Sequence, residues 1–263
     1  AASTRASILG DATLDTVRAR ESLVYALESA GLADRALQLE EKLHPIRVNT
    51  LGIDHAETLS GMRHLAYLLA SNRNCERGLQ VAEECARLAR SSTRPDKPDP
   101  LDDMQNLAAI YTMCDQGAKA APLYEEAARV ATERFGRTSA VALGALGSLA
   151  GARSVAGDHA TALALYEEAL GIERERLGRD HPSTLLTMGN LAVAYGRAGK
   201  FDLAASLYDE TYNLRKVKLG PTHPQTIGAL SHLADATWSA GKQTDAFRMF
   251  AEIVSHNRAK FGP

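Results

Sequence analysis

Leu185, Met188, Leu191, Ala192 and Tyr195 recur three and four positions apart, which places them within about a third of a turn on one helical face. The same spacing returns in Ala204, Leu207, Tyr208 and Leu214. Between the two sets, Ala198-Gly199-Lys200 interrupts the pattern, and Gly31, Gly157 and Gly241 stand in matching places. A glycine there can take the left-handed conformation that ends one helix and turns the chain back. The pattern predicts paired helices, an A helix followed by a B helix, and an all-α fold.

The pairs repeat. Leu177-Gly178 followed by His181-Pro182-Ser183-Thr184 returns as Leu219-Gly220 followed by His223-Pro224-Gln225-Thr226, 42 positions later. At that period the chain divides without gaps into six blocks, 13–54, 55–96, 97–138, 139–180, 181–222 and 223–263. The eleventh column reads Leu23, Leu65, Leu107, Leu149, Leu191 and Leu233; the twenty-fourth reads Ala36, Gly78, Ala120, Ala162, Ala204 and Ala246. One helix pair cannot hide its own apolar stripe, so stability must come from stacking neighbours into a continuous core. The leucine column is expected to fill the layer between pairs, and the alanine column to let the helices approach.

Proline suits a first helical turn, because its missing N–H would be unpaired there anyway, and glycine suits the end of the preceding helix. His181 and His223 are therefore read as joints between repeats rather than ligands. The corresponding joints carry Thr13, Lys97 and Ser139, while His55, His64, His159 and His232 are read as scattered. Residues 1–12 fall in register as the tail of a preceding repeat, with Leu9-Gly10 in the Leu-Gly columns, and Phe261-Gly262-Pro263 stops where a seventh block would begin. Neither end has a polar cap, so the expectation is a segment of a longer array or of a larger protein.

Leu-Ala in the A helix, glycine at the turn, alanine early in the B helix and then Leu-Tyr-Glu-Glu-Ala resemble the tetratricopeptide repeat. The usual unit of that family is about 34 residues. A 42-residue unit with His181-Pro182-Ser183-Thr184 at its start, Asn190-Leu191-Ala192 in its A helix and Leu219-Gly220-Pro221-Thr222-His223-Pro224 at its end resembles the kinesin light chain subtype. The resemblance covers nearly the whole chain. It implies an α-solenoid, a right-handed superhelix whose concave wall is built from A helices and grips extended peptides of partner proteins. Similar arrays also serve as sensor or scaffold regions of kinases, nucleotide-switch ATPases and proteases. The chain departs from the pattern at Ser91 to Pro100, where a proline-rich run replaces Leu-Gly and His-Pro. It also keeps only the second of two asparagines, in Gln105-Asn106 and Gly189-Asn190.

The A-helix face opposite the apolar stripe is formed by the sixth, tenth, thirteenth and seventeenth columns, flanked by the ninth and sixteenth. It carries Arg18, Glu21, Ser22, Tyr25, Arg63, His64 and Tyr67 early in the chain, and Asn106, Asn190, Arg197, His232 and Trp238 later. Arg and Tyr combine large contact area with directed donors, which suits them to anchoring a partner. Asn106 and Asn190 match the family's asparagine column, whose amide can both donate to and accept from a peptide backbone. Gly144, Gly147 and Gly151 crowd one helix, where each glycine costs up to about 1 kcal/mol relative to alanine. Two readings stay open: room for a bulky partner side chain, with Gly147 and Gly151 in the groove, or tight packing within the array.

A net charge of −2 and a pI near 6.5 provide no basic field for a phosphate backbone, so nucleic acid is not expected. The longest uncharged stretch, Thr138 to Ala152, is shorter than the roughly 17–20 residues a bilayer requires, and no secretory leader is legible. Cys75, Cys85 and Cys114 lack metal-ligand spacing and are too few for a disulfide framework, so each is read as a small buried hydrophobe in a reducing cytoplasm. No metal or cofactor is expected.

No catalytic residues are expected either. Gly196-Arg197-Ala198-Gly199-Lys200-Phe201 only superficially resembles a phosphate loop, because Ala194 stands where the first glycine belongs and Phe201 where Ser or Thr would hold magnesium. Glu125-Glu126, Glu167-Glu168 and Asp209-Glu210 recur block by block, as a solvated helix face does. The leading expectation is a protein-interaction scaffold that is not an enzyme and binds a peptide or partner protein. The alternatives are the sensor arm of a larger kinase, switch ATPase or protease, and self-association through uncapped ends.

Overall fold

A computed structural model describes residues 14–94 and 99–261. Leu9-Gly10, Thr13, the joint at 95–98 with Lys97, and Gly262-Pro263 lie outside the described residues. Twelve α-helices and no strand occur among the described residues: α1 (Leu14–Ser29), α2 (Ala33–Leu51), α3 (Ala56–Ser71), α4 (Cys75–Ser91), α5 (Pro100–Met113), α6 (Gly117–Phe135), α7 (Ala140–Val155), α8 (His159–Leu177), α9 (Pro182–Arg197), α10 (Phe201–Leu219), α11 (Pro224–Ser239) and α12 (Gln243–Phe261). The fold is an all-α solenoid of stacked helix pairs. Two compact units divide the chain, 1–131 and 132–263, the division falling within α6.

In the first unit each helix from α1 to α5 packs on its chain neighbour, and α3 also touches α5. In the second unit α7 to α12 do the same, and α7 touches α9. Within each unit one pair of A helices thus meets directly, α3 with α5 and α7 with α9. Gly31, Gly157, Gly199 and Gly241 make the turns within pairs, with φ between 72° and 84°. In the α3–α4 and α5–α6 turns that role falls to Arg73 (φ 62°) and Asp115 (φ 56°). For a residue with a side chain the left-handed conformation costs roughly 1–2 kcal/mol.

The joints between pairs explain the histidine handle. His181 caps α9: its Nδ1 accepts the N–H of Ser183 at 3.2 Å, while Thr184 Oγ1 donates to the Gly178 carbonyl at 2.8 Å. His223 caps α11 in the same way, at 3.3 Å from the N–H of Gln225, although Thr226 is buried without its bond. Ser139 performs both tasks at α7, accepting from Ala142 N–H and donating to the Gly136 carbonyl.

His55 belongs to this column, which corrects its reading as a scattered histidine. It caps α3 by accepting from Glu57 N–H at 3.1 Å, and Thr58 closes onto Gly52 at 2.8 Å. Ala56, standing where proline stands elsewhere, hid the match. Loss of a side-chain N-cap costs about 1 kcal/mol. His181→Ala is accordingly expected to lower stability by about that amount, as measured by urea unfolding; an unchanged midpoint would count against the clip.

Leu65, Leu107, Leu149, Leu191 and Leu233 are only 2–6% exposed, and the whole alanine column is buried. Leu23 departs from the expectation at 43% exposed, because it lies on the first described helix and no described helix packs before it. The cysteine expectation holds only for Cys85, which is buried and whose thiol burial pushes up to about 12. Cys75 and Cys114 are joined in a disulfide across 39 residues. That separation falls three short of the repeat period, and stacking sets the start of a B helix beside the end of the next A helix. A search for metal-ligand spacing does not reveal such a pair.

Candidate partner-binding wall

The columns expected to face away from the core do so. In the first unit α1, α3 and α5 present Arg18, Tyr25, Ser60, Tyr67 and Asp102 as exposed side chains, with His64 and Asn106 half-buried. Arg18, Arg63, His64 and Tyr25 are already engaged, however. Arg18 Nη2 donates to Glu57 at 2.6 Å, Arg63 Nη1 donates to Asp103 at 2.6 Å, and His64 Nε2 lies 2.7 Å from Glu28. The His64 ring also stacks on Tyr25, with centroids 4.7 Å apart. Burial holds the Asp103 carboxyl above the usual carboxylate range, while its bond to Arg63 pulls the other way. These partners lie 36 to 40 residues apart, so each ties one A helix to the next. The side-chain amide of Asn106 makes no hydrogen bond with any described residue.

The second unit presents a different wall. On α9, Leu186 is 64% and Val193 47% exposed, with Asn190 and Arg197 exposed beside them. Their spacing sets Leu186, Asn190, Val193 and Arg197 in one line along the helix. Neither Asn190 nor Arg197 has a partner among the described residues. Leu186 and Val193 escaped the sequence reading because it weighed Arg, Tyr and Asn at these columns and passed over aliphatic residues; their column numbers alone would have found them.

On α7, a Cβ added to Gly151 would lie 3.2 Å from the Tyr166 hydroxyl and one at Gly147 would lie 4.0 Å from its ring, whereas Gly144 opens onto space. Tyr166, buried on α8, therefore fills the place beside Gly151. On α11, His232 is exposed and stacks on Tyr208 at 5.4 Å, and Trp238 meets Phe247 edge-on at 5.2 Å.

Two further ties were not legible in advance. Tyr111 donates to Glu83 and Tyr195 to Glu167, both at 2.6 Å and both across 28 residues. Desolvation, followed by the adjacent carboxylate, pushes each phenol up to about 12. The acidic pairs on the B helices hold arginines: Glu126 binds Arg129, Glu168 binds Arg137, and Glu210 binds both Arg174 and Arg179. The phosphate-loop-like run is the α9–α10 turn, closed by the Lys200 N–H donating to the Tyr195 carbonyl at 2.8 Å. Among the described residues no cluster of three His, Cys, Asp or Glu could hold a metal, and no helix is long and apolar enough to cross a membrane.

Family models of the tetratricopeptide repeat match residues 104–140 and 141–217. The chain is a tetratricopeptide-repeat array. A kinesin light chain-like protein of Podosopora anserina with nearly identical TPR-like repeats shares the fold at a TM-score of 0.67 and 22% identity, over 80% of this chain and 99% of that one. BtubC (BKLC) of P. vanneervenii follows at 0.61 and 19%, over 88% and 90%. A signal-transduction ATPase with numerous domains from Pyrococcus horikoshii, which has a tetratricopeptide-repeat sensor, matches at 0.61 and 12%, over 95% of this chain and 40% of that one. At these identities the likeness is one of fold. No curated protein matches the chain in sequence.

Proposed function

We propose that this tetratricopeptide array is an interaction scaffold, built of 42-residue units with the block boundaries given above, that takes a peptide segment or partner surface on the exposed face of its A helices. Tetratricopeptide repeats generally mediate protein–protein interactions. The observation that carries the reading is the line Leu186, Asn190, Val193 and Arg197 on α9. Two aliphatic side chains stand in water beside an amide and a guanidinium that have no partner among the described residues. Covering the aliphatics gains roughly 25 cal/mol per Å². The amide offers one acceptor and two donors to a backbone, and Arg197 adds a planar fork of donors. Asn106 would contribute the same amide chemistry on α5. The paired residues Arg18, Arg63 and His64 then shape the wall of the first unit rather than grip a ligand, with Tyr25 and Tyr67 as its exposed surface.

A double variant Asn106→Ala, Asn190→Ala and a single variant Leu186→Ala, each used to capture partners from lysate beside the wild type, test this. For a partner held by the wall, each is expected to weaken binding about tenfold or more while the thermal midpoint stays near that of the wild type. A partner that binds all three proteins equally would place the site elsewhere.

The fold likeness to a signal-transduction ATPase that has a tetratricopeptide-repeat sensor, 40% of whose chain is covered, favours a second reading: a sensor arm beside a catalytic module. The full-length gene decides between the two. We place the scaffold in the cytoplasm, where the Cys75–Cys114 disulfide would meet a reducing milieu.

A further inference from the structure

Several irregularities of the chain fall on the pair α4 and α5, at one end or the other. The Gly-His-Thr clip that joins other pairs is missing from the sequence there, and α5 is capped instead by Asp99, which accepts the N–H of Leu101 at 3.0 Å. Between α4 and α5 lies a pocket of about 240 Å³ whose lining includes Ala86, Ala89, Arg90, Asp103, Met104 and Leu107. The turns on either side, α3–α4 and α5–α6, are the two described turns within pairs that use Arg73 and Asp115 in the left-handed region where glycine serves elsewhere. The disulfide joins these same two turns: Cys75 follows Arg73 by two residues, and Cys114 precedes Asp115. In the second unit the corresponding columns hold His159 with Ala198, and Phe201 with Ala240. There the clips at Gly178 to Thr184 and at Gly220 to His223 hold the joints.

We propose that the Cys75–Cys114 disulfide is a redox-operated clasp, which when closed pins the start of α4 to the end of α5, at the end of the pair opposite the joint that lacks the clip, and when open loosens that pair alone. Both cysteines are partly exposed at helix ends, within reach of a low-molecular-weight thiol such as glutathione. Its thiolate attacks one sulfur, breaks the S–S bond and forms a mixed disulfide. The other cysteine leaves as a thiolate and takes a proton. A second small thiol displaces the first cysteine, which also ends as a thiol; two electrons and two protons have passed to the protein, and one small-molecule disulfide is released. Cys85 takes no part, being 2% exposed and held protonated by burial. The opened pair does not come apart, because Arg63–Asp103 and Tyr111–Glu83 still tie α3 and α4 to α5. The inference does not depend on the wall reading.

The test is amide hydrogen exchange, read by mass spectrometry on the whole chain in its air-oxidised form and after treatment with a phosphine reductant. On reduction, exchange in residues 70–76 and 99–116 is expected to quicken about tenfold or more, as local opening replaces closure, while residues 140–240 stay unchanged. A Cys75→Ser, Cys114→Ser variant should show the loosened pattern without reductant and no response to it. Should that variant fail to fold, titration of the wild type with reductant gives the same readout. Three free thiols in the air-oxidised protein would overturn the proposal. An unchanged exchange map, quickening spread over both units, or unfolding of the whole first unit would also overturn it.

Discussion

Replacing Arg47 by alanine is expected to cost the first unit about 3–5 kcal/mol, the range found when one partner of a buried ion pair is removed. Arg47 on α2 is 1% exposed. Its Nη1 donates to Glu40 Oε1 at 2.6 Å, and its Nε donates to Glu21 Oε1 at 2.9 Å. Glu40 is fully buried, so without the guanidinium a carboxylate would sit in the core with no counter-charge. Burial works against the Arg47 charge, yet the two carboxylates prevail and raise its pKa. The neighbouring His44 is pushed the other way, first by burial and then by Arg47. The guanidinium also occupies the space a side chain at position 61 would need: a Cβ on Gly61 would collide with Arg47 Nη1. Alanine at position 47 therefore leaves both an unpaired charge and a void. The double variant Arg47→Met, Glu40→Leu should recover most of the loss, since apolar residues of similar volume often replace a buried pair at little cost. Urea unfolding measures both. A loss below about 1 kcal/mol for Arg47→Ala would show that the cluster is solvated, contrary to its burial.

This cluster marks where reading the sequence stops. Helix pairs, turns and the leucine and alanine columns were legible because each follows from burial repeated along one helix, and burial leaves a period of three to four residues. Glu40 sits in the column where later blocks carry Tyr124, Tyr166 and Tyr208, and a charge at a helical position reads as solvated until its partner is known. Arg47 stands seven residues along the same helix and binds Glu21 26 residues before it, while other partners lie about a repeat away. His64 finds Glu28 across 36 residues, Cys75 finds Cys114 across 39 and Arg63 finds Asp103 across 40. Such offsets arise from the stacking of one pair on the next, which spacing within a helix does not encode. For the same reason, the wall columns could be assigned from sequence, but which of their polar residues were already engaged could not. His55 was missed for a more local reason: alanine replaced the proline by which the cap is recognised.

Leu191→Ala should cost about 2–5 kcal/mol, and Leu23→Ala, the same change in the same column, less than about 1 kcal/mol. Leu191 is 2% exposed and packs with Leu163, Tyr166, Leu170, Leu185 and Met188, contributed by the B helix before it and by its own helix. Truncation there removes the transfer energy of the lost methyl groups and leaves a cavity whose walls, built by two rigid helices, collapse only in part. Leu23 is 43% exposed, so water already touches much of what the substitution deletes. Because side chain, column and helix type are held constant, the difference between the two variants isolates the layer that one helix pair lays over the next. Thermal melts read it directly, with a large fall in midpoint for Leu191→Ala and a small one for Leu23→Ala. Equal falls would mean that the leucine column stabilises each pair from within, and the stacking argument for the fold would fail.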